Sequence, residues 1–497
     1  MIKRLKELLG DSLVYGLGSV LEKVGGFILL LFFANLLTPS DYGVLGLLAY
    51  MDMAFEALSS SGMRSAVFRE FALADTLETK RRVVNTAIWG VLIGGVIIAS
   101  IGMVFAPEIA ELVTQNRGYA NLVRVDFAAC IASAVSAIPM LVLQAARRSV
   151  PFASINFSKF VLTSATTVFF IVGLKWGVWG PILSVGLWNV VYATFLVASQ
   201  LREFGFEIHW PTWKRMFTYG FPFMPYRLLA VANTAFSTYM VASLMGVRSA
   251  GIYQVAARFA LPLGFVVDAI TQAWWPYKFR IYKEEKDPAN LFRTITTSYL
   301  AMTTYLWVGT AIWGPEVLRF AIHRVEYHPA AYVIGSIALA RLMIGVYQMF
   351  GTGIELGDNA KPIALVSLAG LLVGLGSSFA LIPLWGATGA AISASLGAFV
   401  MTVVIFQLGQ ARIRIHHDWP AITAIAIASA SCVFAGHEVL SITSFWRRIL
   451  IDVALSLGYP LLVVLILAAS RTQRERMRAL YDRVQAIRRK RREPSVA

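Results

Sequence analysis

Apolar stretches long enough to cross a membrane recur along almost the whole sequence. The first runs from Leu13 to Leu37, and further stretches follow as far as residue 469. About 20 apolar residues, at a rise of about 1.5 Å each, span the hydrocarbon core of a bilayer. Only 14% of the 497 residues are charged, compared with about 25% in a soluble domain. The sequence therefore predicts an integral membrane protein.

The predicted fold class is all-α. Lipid offers the backbone no hydrogen-bond partners, so a chain crosses it as helices or as a closed barrel. The alternation of apolar and polar residues that is typical of barrel strands is missing. Leu13–Leu37 is also too long for the apolar part of a signal peptide. Fourteen membrane-spanning helices are predicted, at residues 13–37, 42–61, 83–105, 121–143, 152–173, 178–199, 217–244, 250–274, 292–313, 331–352, 362–384, 386–408, 419–440 and 446–469.

Two nine-residue stretches indicate that the chain arose by duplication. Residues 176–184 read "WGVWGPILS" and residues 385–393 read "WGATGAAIS", with Trp, Gly, Gly and Ser at matching positions. A weaker pair is "DYGVLGL" at 41–47 and "SAGIYQV" at 249–255. The first pair opens the sixth and twelfth predicted spans, and the second pair opens the second and eighth. Two parallel six-helix repeats, followed by two C-terminal helices, are therefore predicted.

The predicted domains follow from this repeat. Residues 1–208 form the N-terminal six-helix half, 209–412 the C-terminal six-helix half, 413–470 the two extra helices and 471–497 a basic cytoplasmic tail. The small residues of the repeated stretches are interpreted as a tight periplasmic turn and a seam of close helix packing. The tail has apolar residues at helical spacing between basic ones, which favours a helix lying on membrane lipids. A stop-transfer anchor explains the tail equally well.

Basic residues predict the orientation of the chain. With a cytoplasmic N-terminus, the inner segments carry 31 Lys and Arg residues and the outer segments carry 8. By the positive-inside rule, both termini are cytoplasmic. The net charge of +16 is spread between the apolar runs, with no soluble domain to form a groove, so nucleic acid is not a predicted partner.

No signature of an enzyme is present. The sequence has neither GxxxxGK[ST] nor HExxH, and Cys130 and Cys432 fall in apolar runs, where they are interpreted as buried thiols. We predict no catalytic residue, no metal site and no cofactor. A membrane glycosyltransferase stays an alternative, but such enzymes usually need a larger external loop than the longest here, of about 20 residues.

Charged residues within the spans are the candidate site residues, because each costs at least about 2.5–3.5 kcal/mol at mid-membrane without a partner or a wet cavity. Snorkelling or structural ion pairs are the alternative, above all for the two lysines. Arginine binds phosphate through a bidentate fork. The predicted substrate-binding residues are Lys23, Lys159, Arg227, Arg258 and Arg341.

Arg227 follows an unusual stretch, "YGFPFMPYR". Pro222 and Pro225 each remove a backbone donor, so the helix is predicted to break or kink just before Arg227. Broken helices at a repeat interface are typical of transporter binding sites. A proline kink that only shapes packing is the other interpretation.

Asp52 and Glu56 lie four residues apart and so share a face of the second predicted span. They are predicted as ion-coupling residues that carry H⁺ or Na⁺. Alternatively, they are counter-ions to Lys23 and Arg64, and the sequence leaves both readings open.

The order of these features resembles a known family. Twelve helices in two parallel halves, the repeated glycine turn, "LLTPSDYGVLGL" after the first span and "GVRSAGIYQVAARF" after the seventh are similar to the polysaccharide-repeat flippases. These belong to the multidrug, oligosaccharidyl-lipid and polysaccharide exporter superfamily. The two additional C-terminal spans resemble its lipid II flippase branch.

This resemblance implies a bacterial inner-membrane protein that works by alternating access. It implies a flippase that moves an undecaprenyl-pyrophosphate-linked oligosaccharide from the cytoplasmic to the periplasmic leaflet, for polysaccharide or O-antigen assembly. Implied partners are that substrate, membrane lipids, H⁺ or Na⁺, a polysaccharide polymerase and glycosyltransferases. The alternative is a cation-coupled multidrug exporter, which the excess of basic residues within the spans disfavours because it would repel organic cations.

Overall fold

The described chain is helical. The computed structural model describes residues 25–60, 62–146, 148–204, 207–284, 288–355, 361–411, 417–440 and 444–469. Its helices are α1 Gly25–Leu36, α2 Pro39–Ser60, α3 Met63–Leu73, α4 Leu77–Val104, α5 Ala106–Thr114, α6 Ala120–Ala145, α7 Ser149–Val168, α8 Trp179–Phe204, α9 Trp210–Gly220, α10 Phe223–Met245, α11 Val247–Glu284, α12 Pro288–Ala321, α13 Ala331–Phe350, α14 Thr352–Glu355, α15 Lys361–Gln410, α16 Trp419–Val439 and α17 Phe445–Ala469.

The predicted all-α membrane fold is confirmed. Among the described residues, nine helices are long and apolar enough to cross a bilayer, or up to ten if the bent pair Phe223–Leu229 and Thr234–Met245 forms one span. The number fourteen stays a prediction. Lys23 and the basic tail lie outside the described residues.

Both repeated stretches contain a glycine in a left-handed backbone conformation. Gly177 (φ 53°) and Gly386 (φ 60°) both adopt a positive φ, which favours glycine, and each immediately follows the Trp of its stretch. Gly386 interrupts α15, so this long helix is two helices joined at a kink. A Cβ on Gly389 would overlap the backbone carbonyl of Leu381. The predicted tight turn and close packing are confirmed, and its periplasmic location stays a prediction.

The chain divides into two compact units. Unit 1 comprises Met1–Arg258 with Ile322–His328, and unit 2 comprises Phe259–Ala321 with Pro329–Ala497. The core of unit 1 is built mainly by α2, α3, α4 and α6. In unit 2, α16 and α17 pack against α12 around a buried apolar cluster.

Within unit 1, α2 crosses the start of α11 at two glycines. A Cβ on Gly43 would overlap the carbonyl oxygen of Val247, and one on Gly251 would overlap that of Pro39. Gly43 and Gly251 occupy matching places in the weaker sequence repeat. The duplicated glycines therefore pack against each other, and the absence of side chains allows the two backbones to approach closely.

Candidate functional site

Unit 1 contains two cavities that share the wall formed by α2. The first, here called the basic cavity, has a volume of about 760 Å³, and its polar or charged lining residues are Glu56, Arg64, Ser65, Arg69, Tyr219, Arg227 and Thr234. The second, here called the aspartate cavity, has a volume of about 500 Å³ and contains Asp52, Asp126 and Lys159. Met53 and Glu56 line both.

A left-handed glycine places α3 beside the basic cavity. Gly62 has φ 75°, and a Cβ at this position would overlap the backbone carbonyl of Gly220 at the end of α9. Only glycine combines this backbone conformation with such a close approach. The helix that follows then places Arg64 and Arg69 on the cavity wall.

The predicted helix break before Arg227 is confirmed. Helix α9 ends at Gly220, and Pro222 stands at the N-cap of α10. Helix α10 itself bends by 43° between Leu229 and Thr234. Proline cannot donate the backbone hydrogen bond that would continue α9. The break leaves Arg227 in the first turns of α10, where it lines the basic cavity.

The arginines of the basic cavity differ in their partners. Arg64 forms an ion pair with Glu56. Arg69 lies 3.5 Å from Oε1 of Glu70, and Arg215 lies 2.9 Å from Oε2 of the same carboxylate. Across the described ranges, Arg227 forms no ion pair.

The cavity wall is therefore positive. Its charged lining side chains are one Glu and three Arg, which gives a net charge of +2. The guanidinium of Arg69 also stands 4.7 Å from the ring centre of Tyr219, a cation–π contact that helps to hold it in place. Such a wall suits an anionic group such as a pyrophosphate.

The aspartate cavity brings together two carboxylates and a thiol. Ligand atoms of Asp52 on α2 and of Asp126 and Cys130 on α6 all lie within 4.8 Å of one another. The Cys130 thiol donates to Asp52 Oδ1 at 3.0 Å. Asp126 is only 6% exposed, and its Oδ2 has no hydrogen-bond partner in the part of the chain that the structure describes.

Comparison with known proteins places the chain in a family. Residues 32–324 match the family described as "Polysaccharide biosynthesis protein". The chain belongs to this family. A protein of Shigella flexneri named "Putative O-antigen transporter" is 20% identical over 378 residues, which cover 73% of this chain and 88% of that protein.

Two solved structures share the fold of this polysaccharide biosynthesis family member. "Lipid II flippase MurJ, inward closed conformation" aligns with a TM-score of 0.69 at 14% identity, covering 90% of this chain and 98% of that chain. An inward-facing multidrug resistance MATE family transporter of the MOP superfamily aligns with a TM-score of 0.64 at 17% identity, covering 81% and 98%. The predicted likeness to the exporter superfamily is confirmed. Since a flippase and a multidrug transporter share this fold, the fold alone does not identify the substrate.

The structure gives Asp52 and Glu56 different partners although they share a face of α2. Glu56 is the counter-ion of Arg64, as one of the two sequence interpretations proposed. Asp52 instead faces Asp126 and Cys130. Their shared assignment as ion-coupling residues stays a prediction, and the geometry now distinguishes them.

The other predicted basic residues are dispersed. Lys159 lines the aspartate cavity. Arg258 is exposed on α11 and lines neither cavity, and Arg341 is half-buried on α13 in unit 2. Lys23 lies outside the described residues. Their roles in substrate binding stay predictions.

Four residues of the two cavities were not among the predicted site residues. Arg64 was considered only as a counter-ion, and Arg69 was only one of the 31 inner basic residues, whereas both lie on the short helix α3 and line the basic cavity. Cys130 was interpreted only as a buried core residue, and Asp126 was one of the acids within the predicted spans but was assigned no role. The spacing of Asp126 and Cys130, four residues apart on one helix, was the available signal, since it places them on one face.

Proposed function

We propose that this chain is a flippase that moves an undecaprenyl-pyrophosphate-linked oligosaccharide from the cytoplasmic to the periplasmic leaflet. The observation that carries the proposal is the basic cavity, where Arg227 lacks an ion-pair partner among the described residues and the wall has a net charge of +2. Membership of the polysaccharide biosynthesis family and similarity to a named O-antigen transporter support the same substrate class.

The physical task of such a flippase is to lower the barrier for a charged headgroup. An isolated charge is expensive in the hydrocarbon core. A cavity with guanidinium groups replaces the water around a pyrophosphate with fixed hydrogen-bond donors, and each fork offers two parallel N–H···O bonds. Arg227 can do this without first breaking an ion pair among the described residues, whereas Arg64 must share its charge with Glu56.

The multidrug exporter remains the competing proposal because the fold is shared. A site for organic cations requires exposed negative charge. The basic cavity has the opposite net charge and would repel such substrates, so an exporter would have to bind them in the aspartate cavity. Both activities can be measured in the same vesicles. Transport of a cationic dye as fast as that of the lipid-linked oligosaccharide would favour the exporter.

The direction of transport rests on the proposed orientation, with both termini in the cytoplasm. Cysteine substitutions at Ser40 and Gly246 are expected to react with a membrane-impermeant thiol reagent from the periplasm, and substitutions at Lys80 and Glu284 are not. The two native cysteines are buried. The opposite labelling pattern would reverse the orientation. Glycosyltransferases that build the repeat unit and a polymerase that consumes it stay predicted partners.

The function is tested with purified protein in vesicles that carry a polyprenyl-pyrophosphate-linked oligosaccharide. A membrane-impermeant glycosidase reports how much substrate reaches the outer leaflet. Arg227→Lys is expected to slow flipping about tenfold or more, because a lost charge-assisted hydrogen bond of about 1.5–3 kcal/mol corresponds to at least roughly tenfold. Arg227→Ala is expected to be at least as slow.

Arg117 provides the matched control, since it is an exposed arginine of unit 1 that pairs with Glu111 away from both cavities. Arg117→Lys and Arg117→Ala are expected to flip the substrate at the rate of the parent protein. Normal flipping by Arg227→Ala at equal reconstitution would remove the basic cavity from the mechanism. Absence of flipping by the parent protein would refute the proposed function.

A further inference from the structure

We propose that two loops of unit 1 form a double latch, which holds one end of the transporter closed and has to open in each transport cycle. The first loop, here called the first strap, is residues 115–116, which follow α5. The second strap is Ile322–His328, between α12 and α13. The inference rests on the proposed flippase function, since the cycle is that of substrate movement.

The second strap binds the C-terminal end of α1. The backbone N–H of His323 donates to the side-chain oxygen of Asn35 at 2.8 Å. The guanidinium of Arg324 donates to the backbone carbonyls of Asn35 and Leu36, at 3.1 and 3.3 Å. The last carbonyls of a helix have no acceptor role within the helix and carry partial negative charge, so a cation is well placed there. Arg324 therefore caps α1 from a distant part of the chain.

Tyr327 fixes the same strap to the start of α2. Its side chain is fully buried, and its hydroxyl donates to the backbone carbonyl of Leu37 at 3.2 Å. Its ring meets that of Tyr42 edge to face, with a centroid distance of 6.3 Å. The strap is thus held by a buried aromatic contact as well as by hydrogen bonds.

The first strap binds the C-terminal end of α10 in a similar way. Gln115 caps α5 in a left-handed backbone conformation, with φ 57°, where glycine is the usual residue. Its side-chain amide donates to the backbone carbonyl of Ala242 at 2.5 Å. Ala242 lies in the last turn of α10, which ends at Met245. A glycine at position 115 would lack the side chain that makes this contact.

The two straps occupy equivalent places in the sequence repeat. Gln115 and Arg324 are 209 positions apart, the same separation as the first tryptophans of the repeated nine-residue stretches. The residues that accept their hydrogen bonds, Ala242 and Asn35, are 207 positions apart. In the predicted division into halves, each strap therefore belongs to one half and binds the first helix of the other half. Such reciprocity is what duplication of one contact would produce.

The two bound helix ends lie together at one end of unit 1. The turn after α1 and the turn after α10 meet where Gly43 and Gly251 approach the opposite backbones. Arg248 at the start of α11 also lies 3.9 Å from a carboxylate oxygen of Glu326 in the second strap. Both cavities are lined by α2 further along its length, from Asp52 onwards, about 20 Å from Pro39 at 1.5 Å per residue. The latch thus closes an end of the molecule away from the cavities.

The course of the chain makes the second strap a constraint on movement. Ile322–His328 packs within unit 1, whereas the residues on both sides of it belong to unit 2. In transporters built from repeats, access alternates when one part moves against the other. His323 is exposed, and an exposed hydrogen bond is exchanged for bonds to water at small net cost. The strap can therefore hold the end closed and still release within a transport cycle.

The double variant Asn35→Cys with His323→Cys tests whether the second strap has to open. The contact between the two residues brings cysteines at these positions within reach of a disulfide. The protein is reconstituted into vesicles with a polyprenyl-pyrophosphate-linked oligosaccharide, and a membrane-impermeant glycosidase reports flipping. Oxidation is expected to slow flipping at least about tenfold relative to the reduced form of the same variant, because the cross-link blocks the conformational step. A reducing agent is expected to restore the rate.

Thr38→Cys with Asp41→Cys is the matched control. The two side chains are joined by a hydrogen bond of 2.8 Å within the connection from α1 to α2, so their cross-link does not include the strap. Its oxidised and reduced forms are expected to flip substrate at the same rate. Equal rates for the fully cross-linked and reduced strap variant would overturn the latch. No flipping by the parent protein would instead refute the proposed function.

Hydrogen exchange of the parent protein decides the question without any substitution, also if the reduced strap variant fails to flip. The peptide that contains His323 is expected to exchange at least about threefold faster during flipping than without substrate, because its amide loses Asn35 whenever the latch opens. The peptide that contains Thr79, whose amide donates to the Thr76 side chain at 3.2 Å, is expected to keep its rate. Unchanged exchange of the strap while substrate is being flipped would overturn the proposal.

Discussion

Buried charged groups chosen from the two compact units differ in their partners. In unit 2, the side chain of Lys278 is 1% exposed and is paired with Glu355. In unit 1, Asp126 is 6% exposed with an oxygen that has no partner among the described residues, and Arg227 lacks an ion pair over the same ranges. The deepest basic residue of unit 2 is therefore paired, whereas Asp126 and Arg227 in the cavities of unit 1 have no ion-pair partner among the described residues.

In a membrane protein, structural and functional charges differ in whether another charge of the protein pairs with them. Burying two charges together costs desolvation energy, which their attraction offsets only when the geometry is good. A buried charge without a partner costs more folding free energy than a paired one. It persists only if interactions elsewhere in the fold compensate for that cost. The unmatched groups of unit 1 are thus the ones that a ligand or proton would complete.

The largest expected effect comes from breaking a matched pair of unit 2. Lys278→Ala leaves Glu355 without its partner and is expected to cost about 3–5 kcal/mol of folding free energy. Arg227→Ala in unit 1 breaks no ion pair of the described chain, so it is expected to cost less than about 1 kcal/mol. Thermal unfolding of both variants in detergent measures the difference.

The paired substitution Lys278→Met with Glu355→Gln serves as the control for this prediction. It removes both charges and keeps similar volumes, so most of the lost stability is expected to return. Equal destabilisation by Lys278→Ala and Arg227→Ala would break the distinction between the units.

Two buried acids, one in each unit, are expected to differ in what they contribute to stability. Glu316 in unit 2 is 6% exposed and accepts two bonds from Arg448, of 2.9 and 3.3 Å. Glu316→Gln is expected to cost about 1.5–3 kcal/mol, the value of a hydrogen bond to a charged group. Asp126→Asn in unit 1 is expected to leave the melting temperature unchanged or raise it. A fall in melting temperature for Asp126→Asn equal to that of Glu316→Gln would mean that Asp126 is structural.

The repeated glycine turn allows a third comparison at equivalent positions of the two units. A Cβ on Gly389 in unit 2 would overlap the backbone carbonyl of Leu381, whereas one on Gly180 in unit 1 would lie 3.0 Å from the side chain of Ile171. A side chain can move aside more easily than a backbone. Gly389→Ala is therefore expected to cost about 1–3 kcal/mol, and Gly180→Ala less. Melting temperatures of the two variants that agree within error would contradict this reading.

Much of the fold could be predicted from the sequence because its signals are local. Apolar length predicts spans, and the paired prolines before Arg227 predict a broken helix, since proline lacks a donor wherever it occurs. The repeated stretches similarly predicted the turns at Gly177 and Gly386. Each of these features depends on neighbouring residues alone.

The assembly of the cavities could not be predicted in the same way because it depends on contacts between distant helices. Gly62 packs against Gly220, and Asp52 lies beside Asp126, although several helices separate the two members of each pair in the sequence. A single sequence contains the residues but not the helix packing that joins them. Arg258 was predicted as a substrate-binding residue from its place within a span, yet it lines neither cavity.

The smallest expected effect concerns His417, a titratable group of unit 2 located between α15 and α16. Burial beside aromatic rings, with Phe350 at a centroid distance of 4.8 Å, lowers the pKa of His417 from 6.5 to about 4. The folded chain therefore binds this proton less readily than the unfolded chain, and stability falls as the pH drops from 6.5 towards 4.

His417→Gln, which cannot titrate, is expected to show a smaller drop in melting temperature between pH 7 and pH 5 than the parent protein. His437→Gln, at an exposed histidine of the same unit, is expected to retain the parent difference. The fold accommodates the neutral imidazole of His417. A larger acid-induced drop in the melting temperature of His417→Gln than of the parent protein would contradict this, because it would mean that the folded chain stabilises the charged ring.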